Sequence, residues 1–555
     1  MKTKRNILVV IVSFLCIFSV ITQKIESKED YLDKINSLSY YTFDLGYDLI
    51  NPSWNVFPYQ SETDFNKEML MSKQLLQTLE EETISGYSSK TQKVLNATKD
   101  YYKRHIVLEN DYYIYSNYLS KYFGTPNQMN FYLSNYQLSN EDDIKRLINV
   151  LNSSEEQFDK YIKLELKRQQ KNVGINLFEA NTIQGNCDMI INNIKNHMMN
   201  QYTEQINRIK TLTNEQKNSY IYQVRKALYE VLIPSITKIK EFILNYEKDF
   251  VELTNEQSSE YLSDFIIKQI GIDDSIEKIK DVLDRNMKFD EIEITTYDSL
   301  YEDLIDVYYD KLQIKVKETD LLNDLEKNQL LAKLFFSHVS IANNDNHYLL
   351  SSFIEHYYYE KSSSTQDNYI SIKDKIKLIQ NYGYTMYPGL SYQRYYYKEN
   401  ALDSTIKKFD YPGFRNGWNM YASNILYRIY EKENYYYKYD SLLNNHENAL
   451  LCLLDIYVNY EHATMKEAYE LYSEKSYKDI SEQEFKTMYN TLKAYPGAYL
   501  EKYLMSIYMK DLQVLTEKMT GEENITLTHD VILQSGPTSY SNLESNLKEK
   551  IRSEL

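Results

Sequence analysis

Glycine and proline are scarce in this sequence of 555 residues, which contains 13 Gly and 8 Pro. A sandwich or barrel of many short strands needs turn residues at frequent intervals, so their scarcity argues against both architectures. Cysteine is rarer still, and Cys187 and Cys452 have neither the Cys-x-x-Cys nor the Cys/His spacing of a zinc knuckle. These two residues are compatible with a disulfide or with two isolated buried thiols.

A Lys/Arg cluster of the kind that binds phosphates is also missing, and the formal net charge is -17. Nucleic acid is therefore not an expected partner, because binding to phosphates requires a basic surface. The excess of acidic side chains favours solubility instead.

The N-terminus has the pattern of an export segment. Lys2, Lys4 and Arg5 precede an uncharged apolar run over residues 7–21. The run is short for a membrane span, which needs roughly 20 apolar residues, and no small-x-small cleavage site follows it. Residues 1–27 are thus compatible with a cleaved signal peptide or an uncleaved anchor. The predicted location is extracytoplasmic, either secreted or tethered to the membrane through this segment.

Cys16 lies within this segment but does not predict lipid attachment. Ser13, Phe14 and Leu15 precede it, and bulky residues at these positions fit a lipoprotein acylation site poorly. The sequence therefore does not predict a lipoprotein.

The remaining chain is predicted to be mainly α, with at most a few short strands. A hydroxyl three residues before an acid or amide, the pattern of a capping box, recurs five times. The pairs are Ser139/Asp142, Thr213/Gln216, Thr254/Gln257, Thr464/Glu467 and Ser481/Glu484. Pro234 is predicted to stop a helix, and short strands are predicted at Phe289–Thr296 and at Tyr369–Ile372.

The length favours a fold of two lobes. No repeat or Pro-rich linker separates them. We predict an N-terminal helical lobe over residues 28–285 and a C-terminal helical lobe over residues 286–555, and the second contains the motifs described next.

Two segments of the second lobe carry recognisable motifs. Residues 384–393 read Tyr-Thr-Met-Tyr-Pro-Gly-Leu-Ser-Tyr-Gln, and residues 416–422 read Asn-Gly-Trp-Asn-Met-Tyr-Ala. They resemble His-Glu-x-x-Pro-Gly-His-x-x-Gln and Glu-Gly-Trp-x-x-Tyr-Ala, the linked signatures of the DUF885 family of zinc metallopeptidase-like proteins. This resemblance implies a large, two-lobed helical fold.

Further segments resemble the family in the same order along most of the exported chain. They are a Gly-x-x-x-Gln turn at 124–128, a tyrosine-bearing helical region at 132–159, Cys187, the segments 454–460 and 495–497, and a His-Asp segment at 529–533 followed by Gly536. The segment 454–460 resembles the family's Val-Asp-x-Gly-x-His, and 495–497 resembles its Pro-Gly-Gln.

The resemblance implies a zinc triad and a catalytic glutamate that this chain lacks. The three ligand positions fall on Tyr384, Leu390 and Asn416, and the glutamate that would activate water falls on Thr385. Leucine cannot ligate a metal, neutral Tyr and Asn are poor ligands for a divalent transition metal, and threonine does not accept a proton near neutral pH.

Two further positions depart from the family in the same direction. The family histidine that implies a transition-state hydrogen bond falls on Asn459, and an expected tyrosine falls on Lys502. We therefore predict no catalytic residue, no metal and no other cofactor. Tyr384, Thr385, Leu390, Asn416, Asn459 and Lys502 are predicted to be former active-site positions that lie close together.

The other histidines do not form an evident replacement site. His446-Glu447 begins like His-Glu-x-x-His, but Leu450 occupies the final position, and a solvent-facing turn is predicted there. His338, His347 and His356 are nine residues apart, which places successive members on opposite faces of a helix. His529 is predicted to make a structural hydrogen bond.

The favoured interpretation is a catalytically inactive peptidase homologue that binds a peptide or a protein. One alternative is an active hydrolase with a non-standard site, and another is a surface structural protein whose former cleft is filled by side chains. An open polar cleft would favour binding, whereas a packed centre would favour the structural alternative.

Overall fold

The architecture is known from a computed structural model. It describes residues 55–57, 59, 61–81, 87–106, 118–119, 129–130, 132–134, 136–171, 173–175, 177–245, 253–308, 313–315, 369–385, 388–399, 406, 409, 411–426, 428, 436–522 and 524–554. The export segment, Cys16, the Gly-x-x-x-Gln turn and the three evenly spaced histidines lie outside the described residues.

Helices make up nearly all of the described regular structure. The first lie in the order α1 (Glu62–Glu81), α2 (Ser89–Ile106), α3 (Glu141–Gln170), α4 (Leu177–Asn193), π1 (Ile194–Met198), α5 (Met199–Arg208), α6 (Asn214–Lys226), π2 (Ala227–Leu232), α7 (Ile233–Leu244), α8 (Asn255–Phe265), π3 (Ile266–Ile270) and α9 (Ile276–Tyr308). The mainly helical fold predicted from the sequence is confirmed.

The motif-bearing part of the chain follows a small antiparallel sheet. Strand β1 (Gln313–Lys315) pairs with β2 (Tyr369–Ser371), with Ile314 opposite Ile370. The helices after it are α10 (Ile372–Thr385), α11 (Leu390–Glu399), α12 (Pro412–Asn424), α13 (Tyr436–Asn459), α14 (Met465–Lys475), α15 (Glu482–Ala494), α16 (Ala498–Thr520), α17 (Ile525–Ser535) and α18 (Tyr540–Glu554).

Capping chemistry sets the starts of several helices. Thr213, Thr254, Thr464 and Ser481 each accept a hydrogen bond from the backbone N–H three residues later in a complete capping box, as the sequence predicts. The start of α3 lies one residue later than predicted, because Asn140 is the capping residue and pairs with Asp143.

Two local predictions are wrong. The segment 289–296 is not a strand but lies inside α9, whose apolar side chains pack against the core at helical spacing. Pro234 does not stop a helix. The preceding turn widens into π2, where the Ile233 N–H reaches the Leu228 carbonyl, and the proline then occupies the first turn of α7, where its missing N–H is tolerated.

Two hydrophobic cores organise the described helices. Buried faces of α3 to α7 form one core with Phe57 and the segments around Leu119 and Leu133, while α1, α2 and α8 to α18 contribute to the other. The predicted boundary near residue 285 falls within α9, and the division into domains stays a prediction. Helix α15 also contacts α4, so the two cores are joined by direct packing.

The two described cysteines are free and buried, one in each core. Burial raises the pKa of the Cys187 thiol to about 12, so this side chain is a neutral part of the apolar packing. Of the alternatives left open by the sequence, the structure has two isolated thiols.

None of the described helices has the length and hydropathy that a membrane span requires.

Candidate functional site

The two signature segments meet where α10, α11 and α12 pack together. The indole Nε1 of Trp418 donates a hydrogen bond to the carbonyl oxygen of Pro388 at 3.1 Å, and Trp418 is fully buried. Gly389 leaves no room for a side chain, because a Cβ there would lie 2.2 Å from the Tyr384 carbonyl oxygen. The Pro-Gly and Gly-Trp pairs therefore fix the backbone geometry of this centre.

Helix α12 packs closely along α16, and a glycine explains this approach. A Cβ on Gly417 would lie 2.6 Å from the Cβ of Met505, which is shorter than any ordinary carbon–carbon contact. Glycine at position 417 thus brings the adjacent Asn416 within reach of side chains on α16.

Tyr384, Asn416 and Glu501 form a hydrogen-bonded group that we call the polar cluster. The Tyr384 hydroxyl donates to Asn416 Oδ1 at 3.4 Å, and Asn416 Nδ2 donates to Glu501 Oε1 at 3.0 Å. Two of the positions predicted to lie together from their motifs are therefore in contact. Both are neutral, and the amide of Asn416 connects the phenol to the carboxylate.

Burial and nearby charge act in opposite directions on Tyr384. Removal from water raises the pKa of its phenol, while the positive charge of Lys502 and a hydrogen bond with Asn419 lower it. The phenol stays protonated near neutral pH and acts as a donor rather than as an anionic ligand.

The other predicted positions have different surroundings. Thr385 Oγ1 donates to the Asn381 carbonyl of its own helix at 2.8 Å, and Leu390 is the half-buried first residue of α11. Lys502 is exposed, with its Nζ 4.9 Å from the centre of the Tyr503 ring. These contacts of Thr385 and Lys502 are with residues of their own helices.

Glu501 was not identified from the sequence, although it precedes the predicted Lys502. Its side chain is buried, and only the packing of α12 against α16 shows that it faces Asn416. The sequence shows only that Glu501 lies in the first turn of a helix after Pro-Gly. Acidic side chains are common at such positions because they interact favourably with the helix dipole, so the position alone does not indicate a site.

Asn459 belongs to a separate buried network centred on Asp455. Asn459 Nδ2 donates to Asp455 Oδ1 at 2.9 Å and to the Leu492 carbonyl at 3.0 Å. Asp455 also accepts the backbone N–H groups of Gly497 at 2.9 Å and Tyr499 at 3.1 Å. This carboxylate therefore anchors the N-terminus of α16, the helix that presents Glu501 to the polar cluster.

The Asp455 network has an unusual protonation equilibrium. Complete burial raises the pKa of Asp455 to about 6, although the hydrogen bonds from Gly497 and Asn459 oppose this effect. An unperturbed aspartate has a pKa of about 3.9, so the folded chain holds this proton more tightly than the unfolded chain.

This shift predicts a pH-dependent stability. Between about pH 4 and pH 6, Asp455 is protonated in the folded chain and ionised in the unfolded chain. Its contribution to the free energy of unfolding therefore falls by about 3 kcal/mol as the pH rises through this range. Urea unfolding of the native chain and of the Asp455→Asn variant at pH 4 and pH 7 isolates this contribution. The native-minus-variant difference should be smaller at pH 7, and an equal difference at both values would contradict the prediction.

His529 and His446, the two histidines singled out within the described residues, are both buried. His529 is fully buried, and its Nε2 lies 3.0 Å from the Tyr421 hydroxyl, consistent with the predicted hydrogen bond. The predicted turn at His446-Glu447 is wrong, because both residues are buried inside α13. His446 Nε2 contacts Glu291 Oε1 at 3.2 Å, and Glu447 accepts the Tyr472 hydroxyl at 2.9 Å.

Within the described ranges, no group of three or more His, Cys, Asp or Glu side chains is placed to hold a metal ion. The polar cluster contains one carboxylate, Glu501, beside an amide and a phenol. Its donor set is thus poor for a transition metal, and the absence of a cofactor stays a prediction.

A separate cavity of about 650 Å³ lies between α9 and α16, and we call it the α9–α16 groove. The end of α12 and the first turns of α13 and α18 complete its walls. Tyr421 and Ser506 belong to its lining, whereas the six predicted positions and Glu501 do not. Tyr421 of the second motif lines this groove, but the motif did not predict the groove, which is formed by helices distant in sequence.

The structural comparisons agree with this architecture. No family model and no curated protein matches the chain. A protein described as a "putative lipoprotein" from Colwellia psychrerythraea has a similar structure, with a TM-score of 0.71 and 15% identity over 94% of this chain and 98% of that one. A "putative lipoprotein of unknown function" from Shewanella oneidensis gives a TM-score of 0.51 and 12% identity over 93% and 98%. At such identities the similarity shows the large helical fold, and that alone.

Proposed function

We propose that this chain is an extracytoplasmic, DUF885-like protein that has lost hydrolytic activity and binds a peptide or a protein. The polar cluster is the observation that carries the proposal. Tyr384 and Asn416 occupy two positions where the family resemblance implies zinc ligands, and they hydrogen-bond to each other instead. Asn416 also donates to Glu501, so the nearby carboxylate is engaged by an amide.

The extracytoplasmic location is supported by two independent features. Lys2, Lys4 and Arg5 before an apolar run form an export pattern. The two neighbours named above are each described as a "putative lipoprotein", and lipoproteins are attached to membranes through a lipid. Tethering of this chain is proposed through its N-terminal segment.

The proposal predicts that zinc affinity is low and that restoring the motif residues raises it. The fourfold variant Tyr384→His, Thr385→Glu, Leu390→His and Asn416→Glu supplies three ligands and a base, the arrangement of a catalytic zinc site. The new glutamate at position 416 would also lie beside Glu501, and two adjacent carboxylates attract a cation. Isothermal titration with zinc should give one site in the variant and no stoichiometric binding in the native chain.

The matched control omits Leu390→His and leaves two of the three ligands. It should bind zinc more weakly than the fourfold variant. Equal zinc binding by the native and fourfold proteins would refute the correspondence with the metal triad. Chelator-sensitive cleavage of peptides by the native chain would refute the inactive assignment, and chelator-insensitive cleavage would favour the hydrolase with a non-standard site.

A surface structural role is the second candidate, and the packing of the motif centre favours it. Trp418 is fully buried against the Pro388 carbonyl, and Gly389 is enclosed by backbone atoms. A role of this kind requires no ligand. The peptide-binding experiment described below distinguishes it from the first proposal.

A further inference from the structure

The α9–α16 groove has the size of a ligand site and lies apart from the polar cluster. Its volume of about 650 Å³ is within the usual range of pockets that enclose small ligands. Residues from five helices line it, and these helices are fixed by the larger hydrophobic core. The groove is therefore a preformed concavity on a rigid framework.

Charges of both signs line the groove in equal number. Five acidic and five basic side chains contribute to its walls. Several of them form ion pairs between helices, with N–O distances of 3.1 Å for Lys510 and Asp290, 2.6 Å for Arg285 and Asp511, and 3.0 Å for Lys438 and Glu293. A polyanion or a polycation would meet as many repulsive as attractive groups, so the lining favours a ligand that carries both charges.

The Lys510–Asp290 pair provides a fixed polar contact point. The Asp290 side chain is 1% exposed and that of Lys510 is 31% exposed, so the ammonium group is held by a buried carboxylate and still reaches solvent. An ammonium has three N–H donors. The Asp290 contact uses one, and a carbonyl or carboxylate of a ligand fits the others.

Apolar side chains from α9 and α16 also line the same groove. Phe289 on α9 and Val514 on α16 line it while remaining 52% and 41% exposed. Lys510 Nζ lies 5.2 Å from the centre of the Phe289 ring, so one face of this ring is already covered by a cation. The exposed remainder of this ring and Val514 offer an apolar side chain of a ligand a surface to contact.

We propose that the α9–α16 groove binds a short peptide in which an apolar side chain lies between charges of opposite sign. Phe289 and Val514 contact the apolar side chain, Lys510 binds a carbonyl or carboxylate of the peptide, and the acidic side chains of the walls bind its cationic group. This inference rests on the proposed peptide-binding function and moves the site away from the former active centre.

A tryptic digest of casein serves as the probe, because it supplies many short peptides with Lys or Arg ends and acidic and apolar side chains. Peptides retained by the full chain in equilibrium dialysis are identified by mass spectrometry, and the best is synthesised for calorimetry. The Phe289→Glu and Val514→Glu variants should each weaken its binding at least about tenfold. Leu166→Glu is the matched control, since Leu166 is 44% exposed on α3, and it should bind like the native chain.

Three other results would contradict the groove assignment, the peptide-binding proposal or both. Full binding by both groove variants would overturn the groove assignment while leaving peptide binding intact. If Tyr384→Phe lost binding while the groove variants bound fully, the peptide would lie at the polar cluster. That result would also overturn the groove assignment. Retention of no peptide by the native chain would refute the peptide-binding proposal and this inference together.

Discussion

Replacing Asp455 with alanine is expected to lower the free energy of unfolding by at least about 3 kcal/mol. The carboxylate is fully buried and accepts hydrogen bonds from Asn459 and from backbone N–H groups at the start of α16. Alanine would leave these donors buried without an acceptor, and each such loss costs about 1–3 kcal/mol. Urea unfolding followed by circular dichroism at pH 7 measures the change.

Ser481→Ala is the matched control for the Asp455 variant. Like Asp455, Ser481 accepts a hydrogen bond from a backbone N–H at the start of a helix, here α15, but its hydrogen bonds are exposed to solvent. Water can replace the lost bonds there, so the expected loss is about 1 kcal/mol. Similar losses for the two variants would show that burial of the Asp455 network does not set its stabilising effect.

Replacing Trp418 with alanine is expected to destabilise the fold by about 3–5 kcal/mol. The side chain is fully buried and packs against Tyr421 and His529, with ring centres 6.1 Å and 5.7 Å away. Its removal would open a cavity and also leave the Pro388 carbonyl without the indole donor. Chemical unfolding of the native and variant proteins gives the difference directly.

Two variants separate the causes of this loss. Trp418→Phe retains much of the apolar volume but removes the N–H donor, so it should cost less than the alanine variant. Tyr222→Ala removes a large aromatic that is 65% exposed, and a surface change of this kind should alter stability by no more than about 0.5 kcal/mol. A loss below about 1 kcal/mol for Trp418→Ala would contradict the role of this residue in the core.

Local signals predicted the helical class and several helix starts. Capping boxes at Thr213, Thr254, Thr464 and Ser481 act within one turn, so their residues specify a helix start wherever the rest of the chain lies. The errors arose where packing overrides local preference. Residues 289–296 form part of α9, and π2 accommodates Pro234 within a helical segment.

The candidate site was partly predictable for the same reason. The motifs placed Tyr384 and Asn416 together, and the structure joins them by a hydrogen bond. Their pattern contained no information on Glu501, which reaches Asn416 from another helix at a sequence separation of 85 residues. Asn459 likewise donates to the Leu492 carbonyl of another helix, and contacts of this kind depend on how whole helices pack.

The sequence by itself determined the helical class, several of the described helix starts and the presence of Tyr, Thr, Leu and Asn at the motif positions. These properties follow from residue identity and short-range spacing. Only the tertiary structure decided which side chains complete the polar cluster and that a charged groove lies between α9 and α16. The polar cluster and the groove both depend on the close approach of helices that are far apart in the chain. Gly417 permits this approach between α12 and α16, and the shared hydrophobic core holds the helices in place.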